Sequence, residues 1–401
     1  MMRDSLVKRS GGTDPLLWAA AFGLMLLGAA FIFSATADAD GAAGLSWWRY
    51  HAVAHALAFG VGSAVAAALC IVEYGRLARW SLVAYWISIL LLVAVFVVGV
   101  SRNGAKRWID LGPLQFQPSE FAKIAFLFAL ANFLSRPADE LRLPGNFIKA
   151  LAMAILPFGL ILKEPDLGSS LVFMPTALVM MLVAGVPKPM LGRFVGGAGI
   201  LAALILVDVL FAKEGWKFIK LEEYQRRRLL VYFGVDFVPL GSTPEQARQA
   251  RLLQRDTAMN VDQAMISIGS GGITGRGWRQ GTQHSLGFLP RLGAHNDFIF
   301  SVIAEETGLL GSLTVLSLYG IVFFTGIRIA GEARDRLGRL LAVGVTALLF
   351  THVFVNIGMN LRLMPVTGIP LPLLSAGGTS VLCSLVAIGI LQNIHLHRRH
   401  Y

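Results

Sequence analysis

Apolar runs of about twenty residues, separated by short polar breaks, recur from one end of the chain to the other. A helix crossing a bilayer needs roughly 20 mainly apolar residues. Segments 15–35, 52–72, 81–100, 190–212, 309–327, 340–361 and 376–394 meet that requirement. Three further runs are less apolar: 118–135 holds Glu120 and Lys123, while 147–163 and 167–186 flank the break Lys163-Glu164-Pro165-Asp166. Together they predict an all-α, polytopic membrane protein of about ten transmembrane helices. It reads as one membrane domain over 1–401, with a large extracytoplasmic loop, 213–296, between spans 7 and 8. The polar stretch Met1 to Asp14 has no cleavable signal pattern, so the first run is expected to stay as an anchor.

Composition agrees with this pattern. Of 401 residues, 55% are hydrophobic and 15% charged, and mean hydropathy is +0.64; a soluble domain carries about 25% charged residues. A net charge of +11 in a soluble chain would suggest nucleic acid. Here the basic residues gather in short loops beside membrane lipid, and no nucleic-acid partner is expected. Arg76 and Arg79, Arg136 and Arg142, Lys188 and Arg193, Arg328 to Arg339, Arg398 and Arg399, and Arg3, Lys8 and Arg9 all fall on one face if there are ten spans. The positive-inside bias makes that face cytoplasmic, termini included. Cys70 and Cys383 lie in apolar segments and offer neither a disulfide framework nor metal spacing. No internal repeat supports an inverted-repeat transporter.

The opposite face collects the chemistry. Met364 to Ser380 reads MPVTGIPLPLLSAGGTS. Its prolines and glycines make a poor helix, and non-helical backbone at membrane depth survives only where protein buries it or water wets it. Lys106 and Arg107 sit beside Trp108, an interfacial residue type. Pro118 and Ser119 suit a helix start, and Glu120 and Lys123 share one helix face, as an ion pair, a cavity wall or both. Asp166 belongs to a charged turn. Trp216 to Leu230 reads as an amphipathic interfacial helix carrying Lys217, Lys220 and Arg226 to Arg228, for anchoring or for an anionic group. Residues 239–258 read as a solvated helical excursion. Glycines over 263–283 would let backbone amides approach a ligand, although no nucleotide context accompanies them. Asp297, at the point of membrane re-entry, is either a general base with a perturbed pKa or the cap of a helix starting at Phe298. Glu305 and Glu306 lie deeper, and His295 alone makes no metal site.

Six strings in order resemble the SEDS family (shape, elongation, division and sporulation), most closely its RodA branch: GAKRWIDLG with FQPSEFAKI, EPDLG, YQRRR, QAMISIGSGGITGRG with GTQ, HNDFIFSVIAEETG, and NIGMNLRLMPVTGIPLPLLSAGGTS. The resemblance implies a peptidoglycan glycosyltransferase that polymerises lipid II outside the cytoplasmic membrane, with a class B penicillin-binding protein as partner. It assigns the catalytic role to Asp297 and matches Glu120, Lys123 and Asp166 to family motifs. The expected substrate-binding set is Lys106, Arg107, Glu120, Lys123, Asp166, Arg226, Gln283 and His295. The resemblance fixes no cofactor and leaves room for a divalent cation, Mg or Mn, at the pyrophosphate leaving group. The chain departs from the family at Arg291, Asn296, Arg362 and Ala376, where glutamate, threonine, glycine and tyrosine are usual, and it has two extra residues before His295. A division paralogue, a lipid II flippase and a non-catalytic scaffold are the competing readings.

Overall fold

The computed structural model describes residues 12–42, 44, 50–102, 105–110, 115–211, 223–238, 243–285 and 294–398. The first half runs α1 (Pro15–Ala42), α2 (His51–Ile71), α3 (Tyr74–Arg79) and α4 (Ser81–Val98), then three short strands, β1 (Val100–Arg102), β2 (Ala105–Asp110) and β3 (Gln115–Phe116). There follow α5 (Pro118–Leu134), α6 (Ala138–Leu141), α7 (Pro144–Lys163), α8 (Leu167–Leu171), α9 (Phe173–Ala184) and α10 (Lys188–Phe211). The remainder is α11 (Glu223–Phe233), α12 (Pro244–Ser270), α13 (Thr282–Ser285), α14 (Ile299–Glu332), α15 (Arg336–Asn360) and α16 (Gly378–Leu396).

Nine helices among the described residues are long and apolar enough to cross a membrane, with α8 and α9 counted as one. The tenth expected span is α5, 17 residues long and broken in hydropathy by Glu120 and Lys123. The all-α, roughly ten-span architecture therefore stands, with a small antiparallel meander, β1-β2-β3, added between α4 and α5. Local chemistry sets several ends. Pro118 and Pro144 occupy first turns, where a missing N–H costs nothing. Thr243 and Gln246 close a capping box on α12. Gly185, at φ 91°, ends α9.

Side-chain ties sort the loops into two faces. On one face Gln392 bridges the backbone of Asp14 at 2.7 and 2.8 Å, Arg328 meets the Asp14 carboxylate, and Arg398 meets Glu332. Tyr74 joins them through Asn393 and Asp335, at 3.0 and 2.9 Å. The turns after α2, α9 and α14 and both described chain ends thus share one end of the bundle, the grouping that an even span count requires. Asp40 and His51, β2, Glu164 to Asp166, Arg228, Asp297 and the 364–377 segment occupy the other end. α15 and α16 are mostly buried at the centre, whereas α2 and α10 are mostly exposed at the periphery.

Three expectations need adjustment. The eighth span begins at Ile299 rather than 309, and the two parts of α14 meet at Gly308, whose φ and ψ of 66° and −158° are non-helical. Of the amphipathic helix expected over Trp216 to Leu230, the described part is α11, which runs from Glu223 on to Phe233, and Trp216 to Glu222 lie outside the described residues. The solvated excursion is α12, which runs on to Ser270. Arg3, Lys8, Arg9, Lys217, Lys220, Arg291 and Arg399 lie outside the described residues.

Candidate active site

The proline- and glycine-broken segment 364–377 folds into the bundle as irregular backbone, and its polar groups are satisfied there. Asn356 Nδ2 donates to Ile369 O at 2.7 Å, and Arg228 Nη1 to Val366 O at 3.0 Å. Tyr319 donates to Pro372 O, and Ser375 to Asn296 O. Glycine lets neighbouring elements approach closely: a β-carbon on Gly28 would stand 2.6 Å from Leu374 O, and one on Gly168 2.8 Å from Thr367 O. The segment is held on four sides.

Asp297 lies against it. Its backbone carbonyl accepts from Asn356 Nδ2 at 3.0 Å and Asn360 Nδ2 at 3.1 Å. His295 O accepts from Ala376 N at 3.0 Å. Phe298 precedes the first turn of α14 with no side-chain cap, so Asp297 does not cap that helix. The carboxylate is left half-buried, facing Gly368 and the guanidinium of Arg228. Burial pushes its pKa up to about 6, Asp166 adds to the rise, and Arg228 and Arg107 oppose it. A carboxylate so placed can hold a proton near neutral pH and release it.

Arg107 and Asp166 form the neighbouring wall. Arg107 donates to Glu164 O at 3.3 Å and to Pro165 O, and its Nη1 is 3.8 Å from Asp166 Oδ2. Asp166 caps α8, accepting from Ser169 N at 3.0 Å and Ser169 Oγ at 2.9 Å, and it also accepts from Gln117 Nε2 at 3.3 Å. Among the described residues Glu164 is buried with no partner for its carboxyl oxygens, and burial beside Asp166 raises its pKa to about 8. Burial thus favours its neutral form, and Arg107 opposes this.

The chain matches, over residues 14–400, the family model described as "Cell cycle protein", that of FtsW, RodA and SpoVE. The chain belongs to this family. Peptidoglycan glycosyltransferase MrdB of Escherichia coli K12 is 38% identical over 320 residues, 80% of this chain and 79% of that protein. Stage V sporulation protein E of Bacillus subtilis is 33% identical over 82% of each chain. Among solved structures, "Structural coordination of polymerization and crosslinking by a peptidoglycan synthase complex" aligns with TM-score 0.75 and 29% identity over 96% of this chain and 98% of that one. RodA of Thermus thermophilus gives 0.64 and 28% over 97% and 99%.

Within this family frame, the residues expected at the site divide into six groups. Arg107, Asp166 and Asp297 come together, joined by Arg228. Lys106 precedes Arg107 on β2 and is exposed, because successive strand side chains face opposite ways. Glu120 and Lys123 pair at 2.7 Å, buried, with Lys123 Nζ also 3.1 Å from His352 Nε2. His295, whose pKa burial lowers to about 4, has its ring centroid 4.6 Å from that of His51, tilted by 53°, and His51 pairs with Asp40 at 2.8 Å. Gln283 N donates to Glu305 at 3.0 Å. Arg226 is half-buried with Nε unpartnered among the described residues, and it is Arg228 that reaches Asp297.

The glycine-rich segment has a packing use. A β-carbon on Gly271 would stand 1.9 Å from Ala304 O and one on Gly275 2.1 Å from Glu306 O. Leu309 N and Leu310 N, beyond the Gly308 break, donate to Gly272 O and Ile273 O. Glu305 and Glu306 bind the same loop, Glu306 taking Arg279 N at 3.0 Å and Ser34 Oγ at 2.6 Å. Two amides of this stretch, Arg276 N and Gly277 N, donate to Glu305 O and Glu306 O of α14.

Two features went unread in the sequence. His352, Asn356 and Asn360 stand four residues apart on α15 and present one polar stripe to Lys123 and Asp297. Polar residues at that spacing in an apolar span are the signal that could have exposed them. Asp40 and His51 fall in separate segments, and no spacing rule links them to His295.

Proposed function

We propose that this protein is a peptidoglycan glycosyltransferase of the RodA type, polymerising lipid II at the outer face of the bacterial cytoplasmic membrane, with both termini cytoplasmic. The observation that carries the reading is the Asp297 carboxylate, desolvated beside Arg228 and Arg107 and backed by the buried 364–377 segment. Asp297 acts as general base, taking the proton of the acceptor sugar's 4-hydroxyl as that oxygen attacks the donor's anomeric carbon. The lipid pyrophosphate leaves as an anion and needs charge stabilisation rather than a proton, which Arg228 and Arg107 are placed to give. Asp166 keeps Arg107 oriented. The family match and the likeness to MrdB support the reaction class, and the proline-rich string PVTGIPLPL supports the elongation branch over division.

The donor set also bears on a divalent cation. Among the described residues no three His, Cys, Asp or Glu side chains converge on a cage. Magnesium needs only one or two carboxylates when phosphate oxygens complete its shell. Asp297 would be the protein's ligand to such an ion, which would neutralise pyrophosphate charge. The partner we assign is a class B penicillin-binding protein, in keeping with the likeness to a synthase complex that coordinates polymerization and crosslinking.

The test is polymerisation of purified lipid II by the protein alone and with that partner, the transpeptidase being blocked. Glycan strands from the wild type and none from Asp297→Asn are expected. A stable complex that makes no strands in either case would replace this reading with that of a scaffold.

A further inference from the structure

At the end of the bundle that carries both described chain ends, a cavity of 390 Å³ opens between the last turn of α9 and the first turn of α15. Its apolar lining is Val183 and Ala184 of α9 with Leu340 of α15, and its charged lining is Arg334, Asp335, Arg336 and Arg339. We propose that this cavity binds the phosphate of an anionic phospholipid from the leaflet on that side. Nothing in the glycosyl-transfer reading uses it, and it lies across the membrane from Asp297.

The charges decide what the cavity accepts. Asp335 is already engaged, accepting from Tyr74 Oη at 2.9 Å and from Gly338 N at 2.8 Å as the cap of α15. Arg334 is paired with Glu73 at 3.2 Å. Arg336, half-buried, donates to Ala184 O and so neutralises the negative end of α9. Arg339 is exposed, and among the described residues neither Arg336 nor Arg339 has a carboxylate partner. The positive N-terminal end of the 25-residue α15 adds to the same field. The net balance favours an anion.

The apolar side decides that the anion is attached to lipid. Ala184 and Leu340 are buried, and Val183 is 45% exposed beside Leu182 at 48% and Val179 at 39%. These three residues form a stripe along the outer surface of α9, at the depth where acyl chains run. A headgroup phosphate in the cavity would therefore have its chains beside Val183, Leu182 and Val179. Basic pockets between helix ends at an interface are suited to such headgroups.

The experiment titrates the full-length protein, in a neutral detergent, with phosphatidylglycerol and separately with phosphatidylcholine, and counts retained lipid by native mass spectrometry. One phosphatidylglycerol should be retained in preference to phosphatidylcholine, and Arg336→Gln with Arg339→Gln should weaken it at least tenfold, at roughly 1 kcal/mol per basic residue. Arg339→Glu changes only an exposed side chain, leaves the Arg336 tie intact, and should weaken retention as well. Arg142→Gln, an exposed arginine on the same face, should leave it unchanged. Equal retention across these variants, or no preference over phosphatidylcholine, would overturn the proposal. So would displacement of the lipid by millimolar inorganic phosphate, which would mark a soluble-anion site. An acidic peptide such as polyglutamate that binds through Arg339, with no lipid retained, would instead make it a protein-docking site.

Discussion

Gly368 and Asp297 are fitted to one another: a β-carbon at position 368 would stand 3.5 Å from Asp297 Oδ2 and 3.9 Å from Arg228 Nη1. Gly368 also has φ 73°, a conformation that side chains resist. Backbone strain of this kind costs of order 1–3 kcal/mol. Gly368→Ala should therefore lower the thermal midpoint in detergent and, by shifting the loop behind the carboxylate, cut polymerisation roughly tenfold or more. A variant with wild-type rate and midpoint would show that the loop tolerates movement and does not position Asp297.

The pH dependence of the same carboxylate follows from its pKa of about 6. A general base works when ionised, so the polymerisation rate should rise with pH through about 6 and level above it. Stability has the opposite sign. The folded pKa exceeds the ordinary value of 3.8, so ionisation is harder in the fold, and stability falls as pH rises from about 4 to about 6. Asp297→Asn removes that cost and should be more stable than the wild type above pH 6, by about 3 kcal/mol at most, while making no polymer. Arg228→Gln removes an opposing charge and should move the acid limb of the rate profile upward. A limb that stays in place in Arg228→Gln would separate the two groups.

The sequence made the spans, their shared faces and the position of Asp297 readable, because hydrophobic length and loop charge are local properties. That Asp297 does not cap the next helix was not legible locally: Phe298 takes the position before α14, and Asn356 and Asn360, some sixty residues away, hold the Asp297 carbonyl. Arg226 and Arg228 could not be ranked for the same reason, since α11 alone does not say which arginine faces Val366. The glycines of 263–283 signalled close approach correctly, but the partner was a helix break at Gly308 that a hydropathy window passes over. His51 with Asp40 required a meeting of two loops, which no periodicity encodes.

Glu120 and Lys123 can serve structure or substrate, and a double-mutant comparison separates the two. The pair is buried at 2.7 Å. Removing one partner leaves a lone buried charge, at about 3–5 kcal/mol, whereas replacing both with uncharged residues of like size is often nearly neutral. Lys123→Met should thus be strongly destabilised and Glu120→Gln with Lys123→Met much less so. If the pair only braces α5 against His352, the double variant should recover polymerisation along with its thermal midpoint. Recovery of the midpoint without activity would place the pair in the substrate cavity.

Arg362 holds a backbone position that suits glycine: its φ is 58°. A non-glycine residue in that region costs roughly 1 kcal/mol or more. In partial return Arg362 pairs with Asp262 at 2.8 Å, but both side chains are about 40% exposed, and such pairs contribute about 0–1 kcal/mol. The backbone effect should win. Arg362→Gly should raise the thermal midpoint, and Arg362→Ala, which loses the pair without relieving φ, should lower it. The gap between the two variants, about 1 kcal/mol, measures the conformational cost by itself. If Arg362→Gly is the less stable of the two, the Asp262 pair is holding α12 against the end of α15 more strongly than its exposure indicates.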